Sequence, residues 1–146
     1  MKKPKPLLLL GALLCAVGFI SGCSNTDPTG EGPTLNKLKF VLSTDKKFYA
    51  VSAKDKDVSG KIVIPDEYES LPVRQIGYQG FSGCNQISSV TIPDSVTSMG
   101  VSAFSRCANL ESVILGKNIL VIPEKAFNSC EKLREVIVEQ PLAKIG

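Results

Sequence analysis

The chain has 146 residues, 43% of them hydrophobic, with 17 Lys and Arg against 14 Asp and Glu and no His. Without His it lacks the usual general base and the commonest metal ligand, and its Cys residues are too widely spaced for a zinc site. Three of the Lys lie within the first five residues, so the remainder balances at 14 against 14, and it has no basic run with interleaved aromatics of the kind that binds nucleic acid. We therefore expect no catalytic site, no metal, no cofactor and no nucleic-acid partner.

The first 22 residues are predicted to be a bacterial lipoprotein signal peptide. Three Lys precede the apolar residues 7–20, a run shorter than the roughly 20 residues that span a bilayer. The run ends in Ile-Ser-Gly-Cys at residues 20–23, which resembles the lipobox of bacterial lipoproteins. That resemblance implies cleavage before Cys23 and attachment of acyl chains to it. The alternative is an ordinary cleaved signal in which Cys23 has no special role.

Residues 23–35 are predicted to be the lipidated Cys and a flexible tether. Residues 24–33 contain no large apolar side chain and are interrupted by Gly and Pro, so they cannot bury enough surface to fold. In lipoproteins of Gram-negative bacteria, Asp after the lipidated Cys favours retention in the inner membrane. Ser24 holds that position here, so the resemblance implies the outer membrane or the cell surface.

Residues 36–60 are predicted to form an N-terminal capping β-hairpin. Apolar and polar residues alternate from Leu38 to Leu42 and again from Tyr49 to Ser52, with a polar turn between them. The terminal unit of a repeat protein needs an atypical face backed by polar residues, and this hairpin would supply it.

Residues 61–146 repeat with a period of 23. The aligned sets are Ile76, Met99, Ile122 and Ile145; Phe81, Phe104 and Phe127; Cys84, Cys107 and Cys130; and Val90, Val113 and Val136. The polar positions between them vary. A constant apolar period with variable polar positions is typical of a solenoid, in which each unit buries its apolar face against its neighbour. The first unit is longer, and its five additional residues fall within residues 66–72.

Each repeat is predicted to hold a strand, a second short inward segment and one short helical turn. Val113 and Leu115 show the period of two that indicates a strand. Phe127, Cys130 and Leu133 lie three residues apart, which favours a helical turn. The fold class is therefore a β-rich α/β repeat, a short solenoid with parallel strands and an incomplete last repeat.

The segment from Ile92 to Leu110 (Ile-Pro-Asp-Ser-Val-Thr-Ser-Met-Gly-Val-Ser-Ala-Phe-Ser-Arg-Cys-Ala-Asn-Leu) resembles the repeat of BspA-like leucine-rich-repeat proteins. The entry segment from Ile62 to Gly77 resembles it too, and the period, Phe, Cys and Pro match in phase. Gly116, Pro123 and Gly80 depart locally from the pattern. The resemblance implies a leucine-rich-repeat solenoid in a surface or secreted protein that binds proteins or mediates adhesion.

The candidate binding face is the set of outward positions on the predicted strands, namely Val63, Thr91, Ile114 and Ile137. Solenoids commonly bind through such positions. This stripe is more apolar than solubility requires, which marks a contact surface, although β-branched residues also suit strands in general. The expected partner is a protein, on a host or on a neighbouring cell.

Cys84, Cys107 and Cys130 supply one thiol per repeat. Stacked in register, their Cα atoms would lie about 5 Å apart, a distance that a disulfide can span, and an exported protein meets oxidising conditions. We favour a buried structural ladder of free thiols beside the Phe residues, because three Cys cannot pair completely.

The sequence stops at Ile145-Gly146, in phase with Ile76-Gly77 and before the next Phe-x-x-Cys turn. An apolar core edge and a strand edge are therefore expected at the C-terminal end. Three explanations stay open. The edge associates with another copy or a partner in an assembly, it is tolerated in a small fold, or the sequence is a fragment of a longer array.

Overall fold

The computed structural model describes residues 34–138 and 142–145. The predicted signal peptide, Cys23 and residues 24–33 of the predicted tether lie outside the described residues. A 3-10 helix at Leu35–Lys37 is the one helix in the described part, and it is far too short to span a bilayer. The strands are β1 (Leu38–Leu42), β2 (Tyr49–Ala53), β3 (Ser59–Val63), β4 (Glu67–Tyr68), β5 (Leu71–Ile76), β6 (Gln86–Thr91), β7 (Ser98–Met99), β8 (Ser112–Leu115), β9 (Val121–Ile122), β10 (Glu135–Val138) and β11 (Lys144–Ile145).

One face of the solenoid is a parallel sheet in the order β10-β8-β6-β3. Val90 pairs with Val113, and Val113 pairs with Val136, so each strand lies in register with the strand 23 residues along the chain. Val90 and Val113 are buried because alternate strand residues point into the core. The 23-residue period of the sequence therefore sets the register of this sheet.

A second ladder of strands closes the opposite side of the core. β2, β5 and β7 pair in parallel, and β9 pairs in parallel with β11. Ile76 lies opposite Met99, and Ile122 lies opposite Ile145. The core fills the space between this ladder and the parallel sheet, where Phe81, Phe104 and the inward aliphatic residues are buried.

An antiparallel hairpin of β1 and β2 forms the N-terminal end of the second ladder. Leu38 pairs with Ala53 and Leu42 with Tyr49, and β2 continues into the ladder through β5. Phe40 stacks on Tyr68, with ring centroids 4.0 Å apart and 5° between the ring planes. The hairpin is thus joined to the repeats by backbone pairing and by aromatic packing.

The additional residues of the first unit form a second, tighter hairpin. β4 pairs antiparallel with β5, with Tyr68 opposite Leu71. The two residues of the turn, Glu69 and Ser70, have φ of 47° and 65°, as a two-residue turn with two left-handed positions requires. The insertion that the sequence locates in residues 66–72 is therefore a local hairpin, and the parallel sheet continues past it.

The prediction of a helical turn in each repeat is wrong. In the turn at residues 101–106, the amides of Ser102, Phe104 and Arg106 donate to carbonyls of the following repeat at 3.2, 2.9 and 2.7 Å. The intervening amides donate three residues back within their own turn. Ser102 and Arg106 have φ of 57° and 61°, which an α-helix excludes. Equivalent positions in the other turns share this conformation, at Gln79, Gly83, Lys125 and Ser129.

The first two turns are not helical because half of their amides join one repeat to the next, and the third turn has the same form while its carbonyls accept these bonds. A helix satisfies its backbone internally and would leave the repeats joined here only by side chains. The alternating pattern also brings Phe, Cys and Leu to the core at intervals of three residues. The three-residue spacing of Phe, Cys and Leu therefore does not require a helix, because consecutive hydrogen-bonded turns produce it too.

Candidate interaction surface

The outward face of the parallel sheet carries a contiguous apolar stripe. Thr91 lies opposite Ile114, and Ile114 lies opposite Ile137, so the three side chains occupy neighbouring strands in register. Ile114 is 39% exposed and Ile137 is 42% exposed, while Thr91 is half-buried. Neighbouring strands are about 4.8 Å apart, so the stripe is continuous across β6, β8 and β10.

Val63 does not belong to this exposed stripe, in contrast to the prediction from sequence. It pairs with Thr91 as expected, but its side chain is only 7% exposed. The backbone amide of Thr34 donates to the Val63 carbonyl at 3.4 Å, and the Val63 amide donates to Thr34 Oγ1 at 3.3 Å. Thr34 therefore lies along the free edge of β3 beside Val63. The exposed stripe consists of Thr91, Ile114 and Ile137.

A polar row runs beside the apolar stripe, two residues earlier on each strand. Lys61 pairs with Ser89, Ser89 with Ser112, and Ser112 with Glu135. The row begins with an exposed cation and ends with an exposed anion. An apolar stripe bordered by hydrogen-bonding groups has the composition of a protein contact surface. Within residues 34–138 and 142–145, no cluster of Cys, Asp and Glu could hold a metal ion.

Stacked aromatic rings lie in the turns behind the sheet. Phe104 lies between Phe81 and Phe127, with centroid distances of 5.1 and 5.8 Å and interplanar angles of 12° and 10°. Phe81 and Phe104 have no exposed surface. Close packing of this kind restrains the backbone, and the sheet face is therefore held as a fixed surface.

The three repeat Cys residues are free thiols and lie one turn apart beside the Phe stack. Cys107 Sγ donates to the carbonyl of Phe81, and Cys130 Sγ donates to the carbonyl of Phe104, both at 3.1 Å. Cys84 and Cys107 are buried, and Cys130 is half-buried. Cys107 and Cys130 thus each link their turn to the turn of the preceding repeat, while Cys84 Sγ donates to the carbonyl of Asp55 at 3.7 Å.

Burial of these thiols should make them resistant to alkylation and should make the fold sensitive to alkali. Burial raises the pKa of Cys107 to about 12, and burial raises the pKa of Cys84 and of Cys130 as well. The folded state therefore favours the neutral thiol. Its contribution to stability is complete below the unfolded-state pKa near 9 and is lost as pH rises towards about 12.

Iodoacetamide labelling at pH 8, followed by mass spectrometry, measures this directly. We expect Cys107 in the folded protein to react at least about a hundred times more slowly than in urea, because the thiolate is the reactive species. Cys130 should react before Cys107, since it is less buried. Equal rates for Cys107 in the folded and unfolded protein would contradict the buried position of this thiol.

A cleft of about 510 Å³ lies at the C-terminal end of the described repeats. Its walls include Phe127, Val136, Leu142 and Ile145. Phe127 and Val136 are only half-buried, whereas their equivalents one repeat earlier, Phe104 and Val113, have no exposed surface. The cleft therefore presents apolar groups that the preceding repeats bury against a neighbour.

The chain is similar to bacterial leucine-rich repeat proteins. A family model described as BspA type leucine rich repeat region matches residues 59–146 in six copies. A leucine-rich repeat protein from Bacteroides ovatus matches with a TM-score of 0.65 and 24% identity over 75% of this chain, a likeness that shows the fold. The match covers 30% of that protein, so the chain spans about a third of its length.

Two further solved structures are more distant. A leucine-rich repeat protein from T. pallidum matches with a TM-score of 0.43 and 18% identity, over 73% of this chain and 70% of that one. A leucine-rich cell surface protein from Faecalibacterium prausnitzii matches with a TM-score of 0.38 and 20% identity, over 70% of this chain and 38% of that one. No curated protein matches the chain at a significant level.

Proposed function

The chain belongs to the BspA type leucine-rich repeat family, and from that premise we propose that it is a lipid-anchored surface protein that binds other proteins. Leucine-rich repeats generally serve as binding or scaffold modules without enzymatic activity. The repeats would act as a rigid support for a contact surface held outside the cell. The partner would be a protein of a host or of a neighbouring cell.

The observation that carries this proposal is the exposed stripe of Thr91, Ile114 and Ile137. Two large aliphatic side chains lie next to each other on a hydrogen-bonded sheet, with their strands in register. Exposed apolar surface on a rigid scaffold favours a binding role because burying it against a partner releases water from both surfaces. The polar row beside the stripe would add directional hydrogen bonds at the rim.

The membrane anchor rests on the sequence of residues 1–23. Acylation of Cys23 with two or more chains would hold the protein stably, since each buried methylene adds about 0.8 kcal/mol of membrane affinity. Mass spectrometry of the protein extracted from membranes tests it. We expect an N-terminus at Cys23 with added acyl mass. A chain that begins elsewhere, or an unmodified Cys23, would contradict the anchor.

The hairpin of β1 and β2 would act as the N-terminal cap of the solenoid in this proposal. It pairs with β5 through β2, and its outer side carries Lys39 and Ser52 together with the exposed Val41. A cap of this kind protects the first repeat from solvent and from pairing with other sheet edges.

The test of the binding role uses residues 24–146 coupled to beads. Beads that carry this protein should adhere to an immobilised panel of extracellular-matrix proteins, or to neighbouring bacterial cells, more strongly than beads coated with albumin. The repeats should fold independently of the anchor, because the described residues 34–138 and 142–145 contain their own core. Adhesion no greater than that of the albumin beads would contradict the binding role.

The C-terminal cleft favours a second candidate function, association of two copies as an assembly component. Phe127, Val136 and Ile145 present apolar surface there, and Ile145 is 69% exposed. Light scattering over a concentration series separates the two functions. A mass that rises with concentration, and that Ile145→Asp returns to the monomer value, would favour assembly. A constant monomer mass would favour the binding module.

A further inference from the structure

Charge is distributed unevenly along the solenoid. Residues 34–61, which form the N-terminal unit up to strand β3, contain seven Lys and three Asp. Residues 62–146 contain seven Lys and Arg against nine Asp and Glu. The N-terminal end is therefore basic by four charges, and the repeats are acidic by two. The near balance of the whole chain conceals this difference.

The basic residues of the N-terminal unit lie on its surface. Six of its seven Lys are exposed, and the seventh, Lys37, is half-buried. They lie on β1 and β3, the end strands of the two sheets, and in the loops around them. Among the acidic residues of this unit, Asp45 accepts a hydrogen bond from Ser43 Oγ at 2.6 Å, and Asp55 and Asp57 share one loop with Lys54 and Lys56.

The chain enters the fold at this same basic end. The Thr34 amide and side chain are bonded to Val63 on β3, and Lys37 Nζ donates to the Ser59 carbonyl at 2.8 Å, also on β3. Ten residues lie between Cys23 and Thr34, so eleven Cα-to-Cα steps join them. At about 3.5 Å per residue this segment spans at most about 40 Å. An anchor at Cys23 would thus attach the protein to the bilayer at its basic end, within about 40 Å of the membrane surface.

We propose that the basic N-terminal end docks on the anionic headgroups of the bilayer that holds the lipid anchor. This inference rests on the anchor proposed above. Exposed Lys residues within a Debye length of an anionic surface are attracted to it, and a lipid chain combined with a basic patch is a stable pair of membrane signals. The acidic repeats are repelled from the same surface. The solenoid would therefore stand away from the membrane, with Ile114 and Ile137 accessible to a partner.

The test uses residues 24–146 without an anchor, so its result does not depend on whether Cys23 is acylated. The protein is sedimented with vesicles of phosphatidylcholine alone or of phosphatidylcholine with 40% phosphatidylglycerol, at low salt and in 0.5 M NaCl. We expect binding to the anionic vesicles at low salt, and loss of that binding in 0.5 M NaCl. The triple variant K39Q/K46Q/K54Q should bind them at least about tenfold more weakly.

The matched control is K132Q/R134Q/K144Q, which removes three exposed positive charges from the last repeats. It should change binding by less than about twofold, because those residues lie away from the docked end. Equal losses in the two variants would overturn the proposal, as would binding to neutral vesicles or no binding at all. Binding to soluble heparin without binding to vesicles would assign the lysines to a different partner and would also overturn it. Circular dichroism confirms that each variant is folded.

Discussion

Replacement of Phe104 by Ala should lower the free energy of unfolding by about 3–5 kcal/mol. Phe104 has no exposed surface and its ring stacks on both Phe81 and Phe127. Removing it leaves a cavity at the centre of the stack, where the two neighbouring turns are tied by backbone hydrogen bonds and cannot collapse into the space. Domains of this size are stable by about 5–15 kcal/mol, so the variant should be close to unfolding.

Phe127→Ala is the matched control for this prediction. Phe127 occupies the same position one repeat later, but it is half-buried and stacks on one ring. Its replacement should cost about half as much, since part of the lost surface was already in contact with water. Urea unfolding followed by circular dichroism measures both variants. Equal losses would show that Phe104 is not at the centre of a continuous core.

Gly116→Ala should destabilise the fold by about 3 kcal/mol, the upper end of the range for overpacking in a protein core. A Cβ atom at Gly116 would lie 2.2 Å from the carbonyl oxygen of Pro93 and 2.5 Å from its carbonyl carbon. Both are backbone atoms of the preceding repeat, so neither can move aside as a flexible side chain would. Adjacent repeats would have to separate at this point.

Gly77→Ala separates this steric effect from the general cost of replacing a glycine. A Cβ at Gly77 would have its nearest neighbour at 3.6 Å, an ordinary van der Waals contact. We expect a change of less than about 1 kcal/mol, of either sign, because the loss of chain entropy in the unfolded state offsets small adjustments. A melting temperature for Gly116→Ala equal to that of Gly77→Ala would contradict the close approach of the repeats.

The sequence predicts the solenoid because residues that recur every 23 positions lie opposite each other on neighbouring strands. Val90, Val113 and Val136 recur at a constant interval, and they lie side by side on neighbouring strands. The break in that interval also predicts a local insertion within residues 66–72, where the structure has the hairpin of β4 and β5. Both predictions depend only on which residues are apolar and on how far apart they are.

The conformation of the turns could not be predicted in the same way. Phe127, Cys130 and Leu133 have the spacing of a helical turn, and the residues that adopt positive φ are mostly Ser, Gln, Lys and Arg instead of Gly. Hydrogen bonds between neighbouring repeats stabilise that conformation, and no single repeat contains them. Among the positive-φ positions of these turns only Gly83 is a glycine, the residue type that indicates positive φ from sequence. The equivalent positions of the two later turns are not glycine.

The candidate binding face was predicted in part. Thr91, Ile114 and Ile137 lie in register as the strand pattern indicates, but the burial of Val63 depends on Thr34, which the sequence pattern assigns to the tether. A single polar residue next to a Pro carries no periodic signal, so its pairing with an edge strand could not be read from the sequence.

The most direct test of the sheet face as the binding surface compares the adhesion of beads carrying I114D/I137D with that of beads carrying L120D/V121D. Leu120 and Val121 are 50% and 46% exposed and lie outside the parallel sheet, so they match the first pair in exposed apolar character. We predict that I114D/I137D loses at least about tenfold in adhesion while L120D/V121D retains it, with both proteins folded by circular dichroism. Equal adhesion of the two variants would contradict the assignment of the sheet face as the binding surface.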